Sequence, residues 1–230
     1  MMLKRTVMTL VPAVMILITA CNGPAGQEGP DDPAIVIPEA VDLGLSVKWA
    51  SHNVGARTPH EYGEYFSWGE ATPKDTYYSE DNYSMNTGTW GIEKKYNKDD
   101  KKVLLDLEDD AAHVAYGGKW RMPTLEEIDE LCTANFLLRK VVREEGVLGI
   151  RITSAKTGKS IFLPAAGVKY ETLFPSRERE LGCYWSSTVM TGAPSQAYMI
   201  WTIPSLSRKD MTIYRHYQSR FVGASIRAVQ

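Results

Sequence analysis

The chain has 230 residues, of which 43% are hydrophobic and 23% are charged, so it can bury one sizeable core and still carry a tail. Its formal net charge is −2 at pH 7, from 26 basic and 28 acidic residues. Because phosphate neutralisation requires a clustered basic face, this charge balance argues against a protein that binds nucleic acid.

The first twenty residues have the pattern of a secretory signal peptide. Two basic residues, Lys4 and Arg5, precede an apolar run over 7–20. That run is shorter than the ~20 residues that cross a bilayer, but it suits the hydrophobic region of a signal peptide. It ends in Leu-Ile-Thr-Ala-Cys, which resembles the bacterial lipobox. The resemblance implies cleavage before Cys21 and lipid attachment to it; the alternative is an ordinary signal peptide with an incidental cysteine.

Residues 22–38 are rich in Gly, Pro, Asp and Glu and show no hydrophobic period, which is typical of a flexible tether. The sequence therefore predicts a signal peptide over 1–20, a disordered tether with lipidated Cys21 over 21–38, and one folded domain over 39–230. The lipid would anchor the protein to the membrane, so we expect an outer-membrane lipoprotein of the cell envelope, on either the periplasmic or the surface face.

The first part of the domain combines short strands with a long polar segment. Alternating apolar residues predict a half-buried strand over 41–49, and an aromatic run predicts a second strand-like piece over 65–68. Residues 69–102 are polar with scattered tyrosines. A loop of this length is uncommon in a compact domain unless it is functional or packed by its own aromatic side chains.

Two helices are predicted in the middle of the chain. The first covers 106–116, with Asp106 or Asp109 as its cap and Gly117 as its end. The acidic residues at its start suggest either a cation site or, more simply, favourable interaction with the helix dipole. The second follows Pro123, where Thr124 and Glu127 have the spacing of a capping box.

The remaining segments alternate strands and turns. Two strands around a Thr157-Gly158 turn predict a hairpin over 148–164, while 135–145 is ambiguous. The C-terminal third predicts four strands of an antiparallel meander, over 184–189, 196–203, 210–214 and 225–229. Because strands come both before and after the helices, the fold class is α+β.

Apart from the lipidated Cys21, the mature chain has two cysteines, Cys132 and Cys183. In an oxidising compartment they can form a disulfide. Cys132, however, lies on the apolar face of the second predicted helix, and buried free thiols are common. Both alternatives stay open, with free thiols favoured.

Several motifs together resemble one family, the major paralogous domain first recognised in Fibrobacter succinogenes and abundant in Bacteroides-type lipoproteins. The motifs are VDLGLSVKWASHNVGA (41–56), YGEYFSWGE (62–70), GGKWRMPTLEEIDEL (117–131), TGKSIFLPAAG (157–167), GCYWSST (182–188) and SIRAV (225–229). The resemblance covers nearly the whole mature chain. This chain departs from the usual family ending by having Ala228 in place of proline, and from the motif around Trp185 by having Cys183.

That family is similar to the larger group with a C-type-lectin-like fold, which includes formylglycine-generating and sulfatase-modifying enzymes. The resemblance implies small twisted antiparallel sheets flanked by two helices, with the two ends of the domain brought together. It also implies that Arg121 pairs with an acidic residue of the scaffold. The enzymes hold copper with two neighbouring cysteines, and a soft metal needs such thiolates. Here Cys132 and Cys183 lie 51 positions apart, so this activity is the least favoured alternative.

The resemblance and the residues together favour a non-catalytic binding domain, without metal or cofactor. Aromatic rings near loops and strand ends can stack on sugars or anchor a protein interface. The candidate ligand-binding residues are Trp90, Tyr170, Trp185, Trp201 and Tyr217, with the core as the favoured place for Trp185. A calcium-dependent lectin site needs a Glu-Pro-Asn set, which the sequence lacks. The partner is thus expected to be a glycan or a cell-envelope protein, and the alternative role is structural, in the assembly of a surface complex.

Overall fold

Three small antiparallel sheets and two helices are present in the computed structural model, which describes residues 35–89, 91–171, 174, 177, 180–205 and 212–230. The first sheet pairs β1 (Ala40–Val41) with β2 (Trp49–Ala50). The second has the order β3 (Leu137–Glu144), β4 (Val147–Ser154), β5 (Ser160–Pro164). The third has the order β6 (Gly182–Val189), β7 (Gln196–Ile203), β8 (Thr212–Ser219). The α+β class is therefore confirmed, and the unit Ile35–Gln230 contains all of these elements.

Among the predicted strands, those of the hairpin are present, whereas the strands predicted over 41–49 and 225–229 are not. The hairpin around Thr157-Gly158 is confirmed as β4 and β5, and the ambiguous segment 135–145 contains β3. The prediction of a single strand over 41–49 is wrong. The chain turns at Gly44, where φ is +73°, and the two short strands on either side, β1 and β2, pair with each other. The strand over 225–229 is replaced by isolated bridges to three separate segments, one of them the bridge from Val229 to Trp49.

Helix α1 (Ala111–Tyr116) is shorter than predicted, because a 3₁₀ turn at Leu107–Asp109 precedes it. Its cap is Asp110, not Asp106 or Asp109: the Asp110 carboxylate accepts hydrogen bonds from the backbone N–H of His113 and of Met122. The cap therefore ties the helix to the segment that follows it. Gly117 ends the helix as predicted.

Helix α2 (Leu125–Thr133) begins as predicted. The Thr124 hydroxyl accepts from Glu127 N, and the Glu127 carboxylate accepts from Thr124 N at 2.8 Å. The Arg121 guanidinium donates to both oxygens of the same carboxylate, at 2.8 and 2.5 Å. Arg121 thus pairs with an acidic residue of the scaffold, as expected.

The third sheet separates two apolar clusters. Because side chains alternate along β6, Cys183 and Trp185 face one cluster and Tyr184 faces the other. The second cluster fills the space between this sheet, helix α2 and the sheet β3–β5, where Ile128 and Ile150 are fully buried. Both faces of the sheet are therefore covered over most of its area.

Both cysteines described by the structure are free, so the disulfide alternative is wrong. Cys132 packs against the cluster on the α2 side of the third sheet, and Cys183 belongs to the cluster on the opposite side. Burial raises the pKa of the Cys132 thiol to about 12 and also raises that of Cys183, so both thiols stay protonated at neutral pH.

The long segment 69–102 is packed by its own aromatic side chains. Its described residues form turns and one isolated bridge, with no helix or strand. Tyr78, Tyr83 and Tyr96 are buried beneath it. Of the two explanations for so long a loop, the structure supports internal aromatic packing.

A fully buried arginine at the end of β8 holds this loop in place. The Arg220 guanidinium lies 4.6 Å from the Trp68 ring centre, 5.6 Å from Tyr83 and 5.7 Å from Tyr96, inside the distance of cation–π attraction. It also donates to Tyr83 Oη and to the carbonyl oxygens of Lys95 and Pro194, at 2.9 to 3.1 Å. The charge is therefore compensated by rings and carbonyl dipoles.

A second fully buried arginine, Arg227, closes the domain near its C-terminus. It donates to Asn53 Oδ1 and to the carbonyl oxygens of Ala50, Ser51 and Phe162. Burial lowers the pKa of Arg227 to about 10. The side chain therefore joins the β2 region, the β5 strand and the closing segment through one guanidinium.

We expect Arg220→Met to destabilise the domain by about 3 kcal/mol, because it leaves one buried and two part-buried acceptors without this donor and removes the cation from the aromatic rings. Chemical denaturation measures the change. The matched control is Arg215→Met on the same strand, whose ion pair with Asp129 is 59% exposed on the arginine side and should cost less than about 1 kcal/mol. Equal effects of the two substitutions would contradict this account of Arg220.

A second prediction concerns acid stability. His52 is 4% exposed, and burial together with the charge of Arg227 lowers its pKa to about 4 from 6.5. Since the unfolded chain takes up the proton first, the contribution of His52 is complete above pH 6.5 and is lost as the pH falls towards 4, by about 3 kcal/mol in all.

Replacement of the imidazole isolates this contribution. We expect the loss of unfolding free energy between about pH 7.5 and about pH 4.5 to be smaller by about 2 kcal/mol in His52→Gln than in the wild type. Denaturant titrations at the two pH values give both differences. The same pH dependence in both proteins would assign acid sensitivity to other groups.

Candidate functional site

The structure separates the predicted ligand residues into three groups. Trp185 is fully buried, and its indole Nε1 donates to the Phe66 carbonyl at 2.8 Å, so it belongs to the core and is withdrawn as a ligand residue. Trp90 and Cys21 lie outside the described residues. Tyr170, Trp201 and Tyr217 all lie at the third sheet or beside its end, and they define the candidate site.

Strand β8 lines up aromatic side chains on one face of the third sheet. The register pairs Trp201 with Tyr214 and Met199 with His216. The Trp201 ring centre therefore lies 6.3 Å from that of Tyr214 and 3.8 Å from that of His216. Trp201 Nε1 donates to the sulfur of Met199 at 3.0 Å, which fixes the indole against the sheet.

Tyr217 follows His216 on β8, but the register pairs it with Tyr198, so its side chain leaves the strand on the opposite face of the sheet. Its ring stacks on His216 with centres 5.2 Å apart and planes 14° apart, and 43% of the residue is exposed. Strand β8 is an edge strand of the third sheet, and no further strand of the described part pairs with it. The row of rings therefore crosses the sheet edge, where Tyr214 and His216 are half-buried and Tyr217 is exposed.

A cavity of about 270 Å³ lies at the end of this row. Tyr170 and Phe221 form its aromatic side, with ring centres 5.8 Å apart, and Gln218 and Ser219 supply an amide and a hydroxyl. We call Trp201, Tyr214, His216, Tyr217, Phe221 and Tyr170 the aromatic strip. Tyr170 is 45% exposed, so its ring is accessible from solvent.

Backbone hydrogen bonds hold the cavity wall in place. Lys169 N donates to the Gly223 carbonyl at 2.8 Å, and Gly223 N donates to the Lys169 carbonyl at 2.9 Å. Glu171 N donates to the carbonyl of Tyr78 at 2.8 Å. Tyr170 thus sits between two anchored residues, so its ring is positioned before any ligand arrives.

The strip is electrostatically neutral where its rings are most closely packed. Burial lowers the pKa of His216, so its imidazole is uncharged at neutral pH and offers one donor and one acceptor nitrogen. The charge of Glu171 raises the pKa of the Tyr170 phenol. Flat apolar rings beside hydroxyl, amide and imidazole groups are suited to a ligand with C–H faces and hydroxyl edges.

A separate acidic group lies on the 3₁₀ turn before α1. Carboxylate oxygens of Asp106, Glu108 and Asp109 come within 4.8 Å of one another. The Lys95 ammonium contacts them at 3.3, 2.9 and 2.5 Å, and these hydrogen bonds raise the pKa of Lys95. The Lys95 ammonium therefore occupies the position between these carboxylates, and Lys102 offsets a further charge at Asp106.

Sequence reasoning found half of the strip. It did not single out His216, Phe221 or the polar pair Gln218 and Ser219. The period-2 pattern after Trp201 offered a signal for some of them, because positions 214, 216 and 218 share one strand face. The position of Phe221, which follows the end of β8, depends on the contact with residues 168–170 and has no local signal.

Comparison with known proteins identifies no relative: no family model, no curated protein and no solved structure matches this chain. Across the described residues, none of the helices has both the length and the apolar character needed to cross a bilayer.

Proposed function

We propose that this protein is a lipid-anchored cell-envelope lipoprotein whose domain binds a glycan without catalysing a reaction. The aromatic strip and its adjoining cavity carry this proposal. Exposed rings of Tyr170 and Tyr217 offer flat faces to sugar C–H groups, and Gln218 and Ser219 offer polar groups beside them. A concave, loop-lined site with at least two exposed aromatic rings favours a sugar over a protein surface.

The C-type-lectin-like fold is part of the same proposal. Two features support it: small antiparallel sheets with two helices, and the meeting of the two ends of the domain. Lys48 N donates to the Gln230 carbonyl at 2.9 Å, and Gln230 N donates to the Lys48 carbonyl at 3.0 Å. The sequence resemblance to the major paralogous domain family predicts this same closure.

A second candidate function is an assembly role with a protein partner. Three apolar side chains near one another in sequence, Val103, Leu104 and Leu107, are 45%, 44% and 55% exposed. Exposed apolar groups of this kind are typical of protein contacts when they form a patch. They lack the aromatic rings of the strip, so they rank second.

Substitution of single rings tests the glycan proposal. We expect Tyr170→Ala and Tyr217→Ala each to weaken glycan binding about three- to tenfold, because each removes one stacking face. A glycan array with the purified mature protein identifies the ligand, and calorimetry measures the affinities. Leu138→Ala is the control, since it shortens a 55% exposed apolar side chain on β3 in another sheet.

The same experiment distinguishes the second candidate. A protein recovered from envelope extracts together with an empty glycan array would refute sugar binding and favour assembly. Loss of that partner on Leu104→Asp, with Tyr170→Ala unaffected, would place the contact at the apolar residues.

Lipid attachment has its own test. We expect the wild-type protein to enter the detergent phase in detergent partitioning and Cys21→Ser to stay in the aqueous phase, because the acyl chains supply the membrane affinity. Cys132→Ser is the matched control and should partition like the wild type. If Cys21→Ser leaves the partition unchanged, the lipobox prediction is wrong.

A further inference from the structure

A second cavity lies at the same end of the third sheet as the aromatic strip. Its volume is about 220 Å³. One wall is the loop segment 96–103, and the other wall is the turn between β6 and β7, including Thr191 and Pro194. We call it the lysine pocket, because Lys98, Lys101 and Lys102 contribute to its lining.

The lysine pocket carries a concentrated positive charge. No aspartate or glutamate is among its lining residues, whereas the chain as a whole has a net charge of −2. Lys102 pairs with Asp106 at 2.5 Å on one side. The ion pairs found among the described residues include neither Lys98 nor Lys101.

The turn that presents these lysines is held by Asp100. Its Oδ1 accepts from Asn97 N and Lys102 N, both at 3.0 Å, and its Oδ2 accepts from Tyr96 N at 2.6 Å. Lys101 adopts φ of +55°, a conformation that is sterically unfavourable for a non-glycine residue. Of the two carboxylates between Lys98 and Lys101 in sequence, that of Asp100 is thus occupied by backbone N–H groups, and that of Asp99 is not among the residues that line the pocket.

The opposite wall is fixed by the same guanidinium that holds the loop. Arg220 donates to the carbonyl of Lys95 on the loop and to that of Pro194 on the turn, at 3.0 and 3.1 Å. The separation of the two walls is therefore set by a buried side chain. A pocket with a fixed width and two lysines that pair with no acidic residue of the described part is suited to a compact anionic group.

The lysine pocket and the cavity of the strip are neighbours. Val189 lines the lysine pocket at the end of β6, Gln196 begins β7, and Ser219 lines the strip cavity at the end of β8. Two strand spacings of about 4.8 Å separate β6 from β8, so the strand ends that line the two cavities lie roughly 10 Å apart. An oligosaccharide of a few sugar units is long enough to span that separation.

We propose that the lysine pocket binds the carboxylate or sulfate of an acidic glycan whose sugar face lies on the aromatic strip; this rests on the proposed function. The rings select for a saccharide, and Lys98 and Lys101 select for a negative charge on it. The ligand class is therefore an acidic oligosaccharide, with neutral saccharides as weaker ligands.

Paired ligands and paired variants test the proposal. The probes are a uronic-acid oligomer, a sulfated oligosaccharide and a neutral oligosaccharide of similar length, measured by calorimetry with the purified mature protein. We expect the wild type to prefer an acidic probe, and Lys98→Gln/Lys101→Gln to bind it about tenfold more weakly with the neutral probe unchanged. The uronic-acid and sulfated arms distinguish carboxylate from sulfate.

The control variant is Lys48→Gln/Lys140→Gln, which removes the same charge from exposed positions outside the pocket. It should leave all affinities unchanged. Equal wild-type affinity for acidic and neutral probes, or full retention of acidic binding by Lys98→Gln/Lys101→Gln, would overturn the inference and leave glycan binding standing. Binding of no saccharide at all would refute both proposals.

Discussion

The geometry around the candidate site depends on one group, the guanidinium of Arg220. The group is fully buried, and its charge is compensated by aromatic rings, a phenol and backbone carbonyls. Such compensation is important in a low-dielectric interior, because burying an unpaired charge costs far more free energy than one hydrogen bond contributes. Because the acceptors belong to the loop 69–102 and to the turn after β6, one side chain joins two segments that share no strand pairing with each other.

Arg227, near the C-terminus of the chain, is also fully buried and also donates to backbone carbonyls. The three carbonyls that it binds come from two regions far apart in sequence, residues 50–51 and Phe162 on β5. With strands of two residues at the start of the domain, ladder hydrogen bonds alone would close it weakly. Buried guanidinium groups thus replace extended pairing as the connection between remote segments.

This arrangement also explains where a ligand can bind. The third sheet is covered on both faces by apolar clusters, and the most exposed rings of the strip are Tyr217 on the edge strand β8 and Tyr170 beside the sheet end. The proposed glycan site and the proposed acidic subsite therefore adjoin one another as a consequence of packing. Rigid strands and a loop held by Arg220 position both proposed sites, so less conformational entropy is lost when a ligand binds.

The sequence by itself determined the local elements: the capping box of Thr124 and Glu127, the hairpin at Gly158, and the α+β order of strands and helices, since each depends on residues close in the chain. It also placed Tyr170, Trp201 and Tyr217 among the candidate ligand residues. Only the tertiary structure decided that Trp185 is fully buried while Trp201 is partly buried, that the cysteines face opposite clusters, and that residues 225–229 close the domain by bridges. Burial and long-range pairing depend on segments far apart in sequence, and no local pattern encodes which of them meet.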